Sequence, residues 1–385
     1  MPGVSRRVRW HPAQERFYSV QMTNRLIGYA FLAVLFLGAA ACSDSDGTPV
    51  DTTQPGPYEV GVATYSLSDR EVEVWYPALA GASEGLEKER YYIRRWLPPV
   101  IDGLLDPDAD PPFVTDAYRD LPPAESGTFP VVVFAHGYSA FRNQSTFLTT
   151  FLASHGMVVV APDYLERGLA SALGFPPEEP RDDVEVTQDA LDTLASALPQ
   201  VAEIGDFERM GIVGHSAGGG TALRVASAWP ELAVYIPMTA GASREPGDMP
   251  ATRSLWVAGG IDASVSVDSV RNGYQRAAAP KRYLSVENAG HLLPSDLCAI
   301  GAEDGGIIEI AKRAGLPVPA NIERLGTDGC QEEALAAELG WAVVRDAVTS
   351  VLLESFGALG DAPVLGADVV ERYPSIPIDY REEAS

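Results

Sequence analysis

Gly214-His215-Ser216-Ala217-Gly218 sets a serine between glycines two positions away on either side, after a short apolar run and before a helix-forming segment. That spacing suits a nucleophilic hydroxyl. The serine sits in a strained strand-to-helix turn, and the flanking glycines let neighbouring backbone pass without a Cβ clash. The Ala217 N–H then starts a helix, has no intrahelical acceptor, and can hold an oxyanion. Such a serine also needs a base within hydrogen-bond reach, an acid to orient it and a second N–H donor. Of five histidines, His11 lies in an N-terminal segment read below as removed, His215 is inside the turn with its side chain directed away from the serine, and His155 ends a predicted helix. His136 follows an apolar run and reads as a loop histidine bonding nearby backbone. His291, in Glu287-Asn288-Ala289-Gly290-His291, follows the last predicted strand, at the carboxyl edge of a parallel sheet where ligands bind, and is the expected base. Asp262, at the end of Ala258-Gly259-Gly260-Ile261-Asp262, falls between nucleophile and base and is the expected acid. Asp268 reads instead as a first-turn helix residue, where a carboxylate suits the dipole.

The elements that must position these groups are visible as alternating patterns. Continuous apolar runs at Val131 to Ala135, Met157 to Ala161, Gly211 to Val213, Val234 to Met238 and Leu255 to Ala258 read as buried parallel strands, with Arg282 to Val286 as the last. Helical patterns at Gln144 to Ser154, Val184 to Leu198, Ala217 to Ala228 and Val267 to Ala278 separate them, which predicts a mostly parallel α/β sheet flanked by helices. Glu59 to Leu67 and Arg70 to Tyr76 predict an antiparallel hairpin at a sheet edge, and Ala78 to Thr128 reads as irregular. Leu297 to Ala314 and Glu332 to Ser355 read as helices of a C-terminal helical insertion. Tyr164 to Arg181 carries Leu165, Leu169, Leu173 and Phe175 among charges and prolines. It reads either as a cap over an apolar site or as an ordinary connection.

Residues 1–41 read as an export signal: Leu26 to Ala41 is uncharged and short of a bilayer span, and it ends in small residues before Cys42. Met22 begins an n-region of ordinary length and is the expected start. Residues 42–57, rich in Asp, Thr, Gly and Pro, read as a flexible tether, and 58–385 as a single domain. Removing 1–41 takes away five Arg and one Glu, so a formal charge of −25 becomes −29, which disfavours nucleic acid and anionic membrane surfaces as partners. With Cys42 assigned to the signal, Cys298 and Cys330 remain as an even pair, a disulfide in an oxidising compartment. No H-E-x-x-H, C-x-x-C or G-x-x-x-x-G-K-[ST] motif occurs, so neither metal nor cofactor is expected.

Phe129-Pro-Val-Val-Val-Phe-Ala-His-Gly-Tyr138, the segment Ser154 to Asp163, the Gly-His-Ser-Ala-Gly-Gly turn, and the Gly-Gly-Ile-Asp and Ala-Gly-His signatures resemble the α/β-hydrolase superfamily. Within it the chain is similar to bacterial relatives of platelet-activating-factor acetylhydrolase and to dienelactone hydrolase-like and cutinase-like esterases, over roughly Tyr58 to Phe356. The small residues before Cys42 look like a lipoprotein lipobox, with Ala39 in place of the usual Leu. The resemblance implies Ser216 as nucleophile, His291 as base, Asp262 as acid, and the Tyr138 and Ala217 N–H groups as oxyanion donors. It further implies acyl transfer on small-molecule carboxylic esters without a cofactor, in an envelope, periplasmic or secreted protein whose membrane contact is a Cys42 lipid. Lipase, phospholipase and polyester hydrolase chemistries fit the same motifs, as does a non-catalytic surface binding protein on this fold. The segment from Cys298 to Cys330 departs from a minimal cutinase-like chain and leaves the shape of the cleft open.

Overall fold

Apolar runs buried on both faces form the centre of the structure, a computed structural model that describes residues 50–106, 111–242, 249–359 and 365–384. The strands in chain order are β1 (Val60–Ser66), β2 (Glu71–Pro77), β3 (Arg90–Tyr91), β4 (Phe113–Val114), β5 (Tyr118–Arg119), β6 (Phe129–Ala135), β7 (Val158–Pro162), β8 (Gly205–His215), β9 (Val234–Met238), β10 (Arg253–Gly259), β11 (Lys281–Val286) and β12 (Ile378–Glu383). β3 and β4 pair with each other. The rest make one sheet in the order β12-β11-β10-β9-β8-β6-β7-β2-β1-β5. Strands β6 to β11 run parallel, and β2, β1 and β12 are added antiparallel to their inner neighbours.

Side-chain alternation divides the core into two layers. Val132, Phe134, Val213, Ile236, Val257 and Leu284 face the helices Thr146–Ser154 and Ala337–Ser355. Val131, Val133, Ile212, Tyr235, Trp256 and Tyr283 face Asp183–Ala197, Ala217–Ala228 and Val267–Arg276. A sheet covered on both sides needs no polar face, which is why its strands read as unbroken apolar runs. Asp182 caps its helix by accepting from the Val184 N–H, and Ser266 does the same for Ser269.

The mostly parallel sheet, its flanking helices and the β1–β2 hairpin match the expected architecture. Four details differ. The hairpin is not outermost, because β5, from the segment read as irregular, pairs in parallel with β1. β12 was not anticipated, its sequence IDYREE being charged and half-exposed as suits an edge strand. Leu297 to Ala314 is not one helix: Gly301, Gly305 and Gly306 adopt positive φ, which restricts the helix to Gly306–Arg313, and a second helix, Ala320–Thr327, follows. Finally, the part of the expected tether from Thr52 onward packs on the domain. Thr52 is buried and its hydroxyl donates to Asp346, the Gly56 N–H donates to Ser154 Oγ, and His155 Nε2 bonds the Gln54 carbonyl. The export signal, the Met22 start and Cys42 lie outside the described residues.

Candidate active site

The register of the parallel strands brings four loops to one edge: Ala135 pairs with Gly214, His215 with Met238, and Gly259 with Val286. Tyr138, Ser216, Asp262 and His291 therefore all follow strand carboxyl ends. Ser216 occupies the turn between β8 and the helix Ala217–Ala228 at φ 53°, ψ −116°, a strained conformation for a residue with a side chain. The spacing of the motif follows from this turn. A Cβ on Gly214 would lie 2.1 Å from the Gly218 carbonyl oxygen, and one on Gly218 would lie 2.0 Å from that of Ala135.

His291 Nε2 lies 2.9 Å from Ser216 Oγ, and Nδ1 lies 2.8 Å from Asp262 Oδ2. The other Asp262 oxygen accepts from the Ser264 and Val265 N–H groups at 2.8 and 2.7 Å, so the carboxylate is fixed before it touches the imidazole. An acceptor at Nδ1 puts the ring proton there and leaves Nε2 free to take the serine proton. Asp268 stands apart, on the first turn of Val267–Arg276 and paired with Arg271.

Beside Ser216 lies the loop after β6. The Ala217 N–H opens a helix and has no intrahelical acceptor, and the Tyr138 N–H has none among the described residues. Two buried histidines and a glutamine hold this loop. Gln144 Oε1 accepts from the Gly137 N–H at 2.6 Å while its amide nitrogen donates to His215 Nδ1 at 2.6 Å. The His215 proton thus sits on Nε2 and donates to the His291 carbonyl at 3.0 Å, linking the Tyr138 loop to the His291 loop. His136 Nε2 accepts from the Tyr164 N–H at 2.9 Å, so its Nδ1 donates to the Gly137 carbonyl at 2.9 Å, the backbone role read from sequence. Burial, with the Arg167 cation second, pushes the His136 pKa down to about 4. Burial likewise holds His215 well below the ordinary imidazole range, followed by the neighbouring His291.

Asp328 was not expected at the site. Buried in the segment between the two cysteines, it accepts from the Ala263 N–H at 3.1 Å, the Ser264 hydroxyl at 2.7 Å and the His291 N–H at 3.1 Å. One carboxylate therefore ties together the loops bearing Asp262 and His291. The loops meet closely: a Cβ on Gly290 would stand 2.5 Å from Gly329 Cα. Gly290 and Gly329, each beside a residue of this junction, were the available sequence signal; Gln144 had none beyond its place near a helix start.

Cys298 and Cys330 are bonded, with Cα atoms 5.1 Å apart. The segment they close covers an apolar cavity of about 150 Å³ that reaches His291 and Tyr138. Of the possible cap residues, Leu169 and Leu173 line this cavity, whereas Leu165 and Phe175 do not. Among the described residues no group of His, Cys, Asp and Glu is arranged to hold a metal, and no helix is long and apolar enough to cross a membrane.

The sheet order, the turn at Ser216 and the loops at one strand edge define a protein of the α/β-hydrolase fold. The family model for chlorophyllase matches residues 116–240. The chain is 28% identical over 185 residues to cutinase est1 of Thermobifida alba, covering 45% of this chain and 57% of that protein. To chlorophyllase type 0 of Chenopodium album it is 28% identical over 130 residues, covering 31% and 35%. The chain thus spans only about half the length of the cutinases it matches. Among solved structures, a ferulic acid esterase from Streptomyces cinnamoneus superposes with a TM-score of 0.59 at 20% identity, over 84% of this chain and 96% of that one.

Proposed function

We propose that this protein is an exported serine hydrolase that cleaves carboxylic esters through an acyl-enzyme. The observation that carries the reading is the hydrogen-bonded line Ser216–His291–Asp262, ending on a serine held in a strained turn. Ser216 Oγ attacks the ester carbonyl as His291 Nε2 takes its proton. Asp262 keeps the imidazole oriented and balances its charge, and the Tyr138 and Ala217 N–H groups hold the tetrahedral oxyanion. His291 then protonates the departing alcohol. Water, activated by the same imidazole, attacks the acyl-serine and releases the acid. Cutinase and esterase relatives support the ester as the bond cleaved.

Fluorophosphonates react readily only with an activated serine beside an organised oxyanion site, so the native protein is expected to be labelled and Ser216→Ala and His291→Ala to resist labelling. Ser216→Ala should also abolish p-nitrophenyl butyrate turnover. Undiminished turnover in that variant would sink the proposal. The domain organisation proposed is an export signal through residue 41 followed by one folded domain, and the Cys298–Cys330 bond accords with an oxidising compartment. Lipid attachment at Cys42 belongs to the same proposal; Edman sequencing of the envelope-recovered protein beginning at an unblocked residue other than Cys42 would contradict it.

A further inference from the structure

The cavity beside His291 has walls from four separate stretches of chain, and most of the side chains they contribute are apolar. Leu97 comes from the segment after β3, Phe141 and Leu169 from the loops after β6 and β7, and Ile308, Leu316 and Ile322 from the disulfide-closed insertion. The insertion is built to present this face. Its helices Gly306–Arg313 and Ala320–Thr327 turn Ile308, Ile310 and Ile322 inward while Lys312, on the outer side, bonds both Glu309 at 3.0 Å and Glu323 at 2.6 Å. Among the described residues no carboxylate lines the cavity. Its one guanidinium, Arg94, is taken up by Asp102 at 2.7 Å. The Phe141 ring is stacked on Trp96 with centroids 4.2 Å apart, so that face is already occupied. Apart from the Ser139 hydroxyl, Gln144 and the histidines of the active site, the described lining is largely aliphatic and offers no unpaired charge to a head group. It matches a flexible aliphatic chain.

We propose that this cavity binds the acyl chain of the substrate, and that the preferred substrates are esters of unbranched aliphatic acids of medium length. The proposal rests on the acyl-enzyme reading. It assigns the cavity to the acyl rather than the alcohol side because the acyl group stays bonded to Ser216 between the two half-reactions, whereas the alcohol must escape. A site walled by an insertion closed by a disulfide suits the group that stays. Each methylene moved from water into an apolar site favours binding by a factor of roughly three or four. When that gain is realised in the acylation transition state it appears in kcat/KM.

Rates on p-nitrophenyl acetate, butyrate, hexanoate and octanoate test this directly in the intact protein. The expected octanoate-to-acetate ratio of kcat/KM is at least thirtyfold. Ala311→Trp, which fills the cavity, and Leu316→Asp, which puts a charge in it, should each lower that ratio tenfold or more; both sites are partly exposed. A flat or falling acyl series in a protein that fluorophosphonate labels normally overturns the acyl-cavity proposal while leaving the serine reading intact. Absence of labelling strikes the serine reading instead. A series of alkyl acetates whose rate climbs with alcohol length, beside a flat acyl series, would place the chain on the other side of the ester and also overturn the proposal.

Discussion

Asp328 shows what a residue can do for a reaction without touching the reacting atoms. Its two oxygens meet donors from Ala263, Ser264 and His291, so from a third segment it bonds both the loop of the acid and the loop of the base. Removing it leaves buried N–H groups unpaired and lets the imidazole drift from Ser216, and small displacements of a catalytic group cost rate steeply. Asp328→Ala is expected to lower kcat by roughly ten- to a hundredfold with KM little changed, and to slow fluorophosphonate labelling in parallel. Turnover within twofold of the native protein, with the fold intact by circular dichroism, would show that Asp328 has no positioning role. Ser216, His291 and Asp262 could be read from the sequence because the turn has a steric code and histidines are few. Asp328 could not. Its carboxylate sits in an insertion with no motif, and its meaning depends on a contact across 37 residues with His291.

Among the elements, the strands under the site are joined by charge as well as by apolar packing. Arg142, from the loop after β6, is buried and pairs with Glu71 and Glu73 on β2 and with Asp163 after β7, which also accepts from the Arg142 N–H at 2.9 Å and from the Trp96 indole at 3.2 Å. Glu73 and Asp163 have side chains only 1% and 7% exposed; Glu73 shares Arg142 with Arg119, which lies 2.8 Å away, whereas Arg142 is the one cation paired with the Asp163 carboxylate among the described residues. Breaking a buried ion cluster by removing one partner costs about 3–5 kcal/mol because the remaining charges stay desolvated. Arg142→Ala should lose that much stability in urea unfolding. Lys88→Ala, breaking an exposed pair with Asp116, should lose under about 1 kcal/mol. Equal losses in the two variants would contradict the role given to Arg142. None of this cluster was read from sequence, since its members come from one strand and two loops far apart in the chain. The central strands were legible for the opposite reason: burial on both faces demands unbroken apolar runs such as Val131 to Ala135. β12 escaped notice because an antiparallel edge strand answers to no such demand, and Leu297 to Ala314 misled because its apolar period runs on through glycines that take positive φ.

For the whole molecule, the buried histidines set how stability answers to acid. The His136 pKa falls from 6.5 to about 4 on folding, so between those values the unfolded chain binds a proton that the folded chain excludes. Its contribution is therefore complete above about pH 6.5 and is lost as pH falls toward 4. His215, lowered by its own burial, acts in the same direction. Asp183 is lowered as well, despite burial, by Arg167 and Arg224 and by hydrogen bonds, but its window opens only below the ordinary carboxylate value of 3.8. Asp296 works against them: burial raises its pKa to about 7, so its effect on stability becomes more favourable as pH drops through that region. A raw stability curve mixes these signs, and the difference between native protein and a variant separates them. His136→Gln keeps an acceptor for the Tyr164 N–H but does not titrate. Between pH 7.5 and 5 the native protein should lose about 2 kcal/mol more unfolding free energy than this variant. Parallel urea-derived stability curves for the two would mean that His136 gains its proton in the folded state as readily as in the unfolded one, and that the backbone bonds assigned to its neutral ring are not what hold the loop beside Ser216.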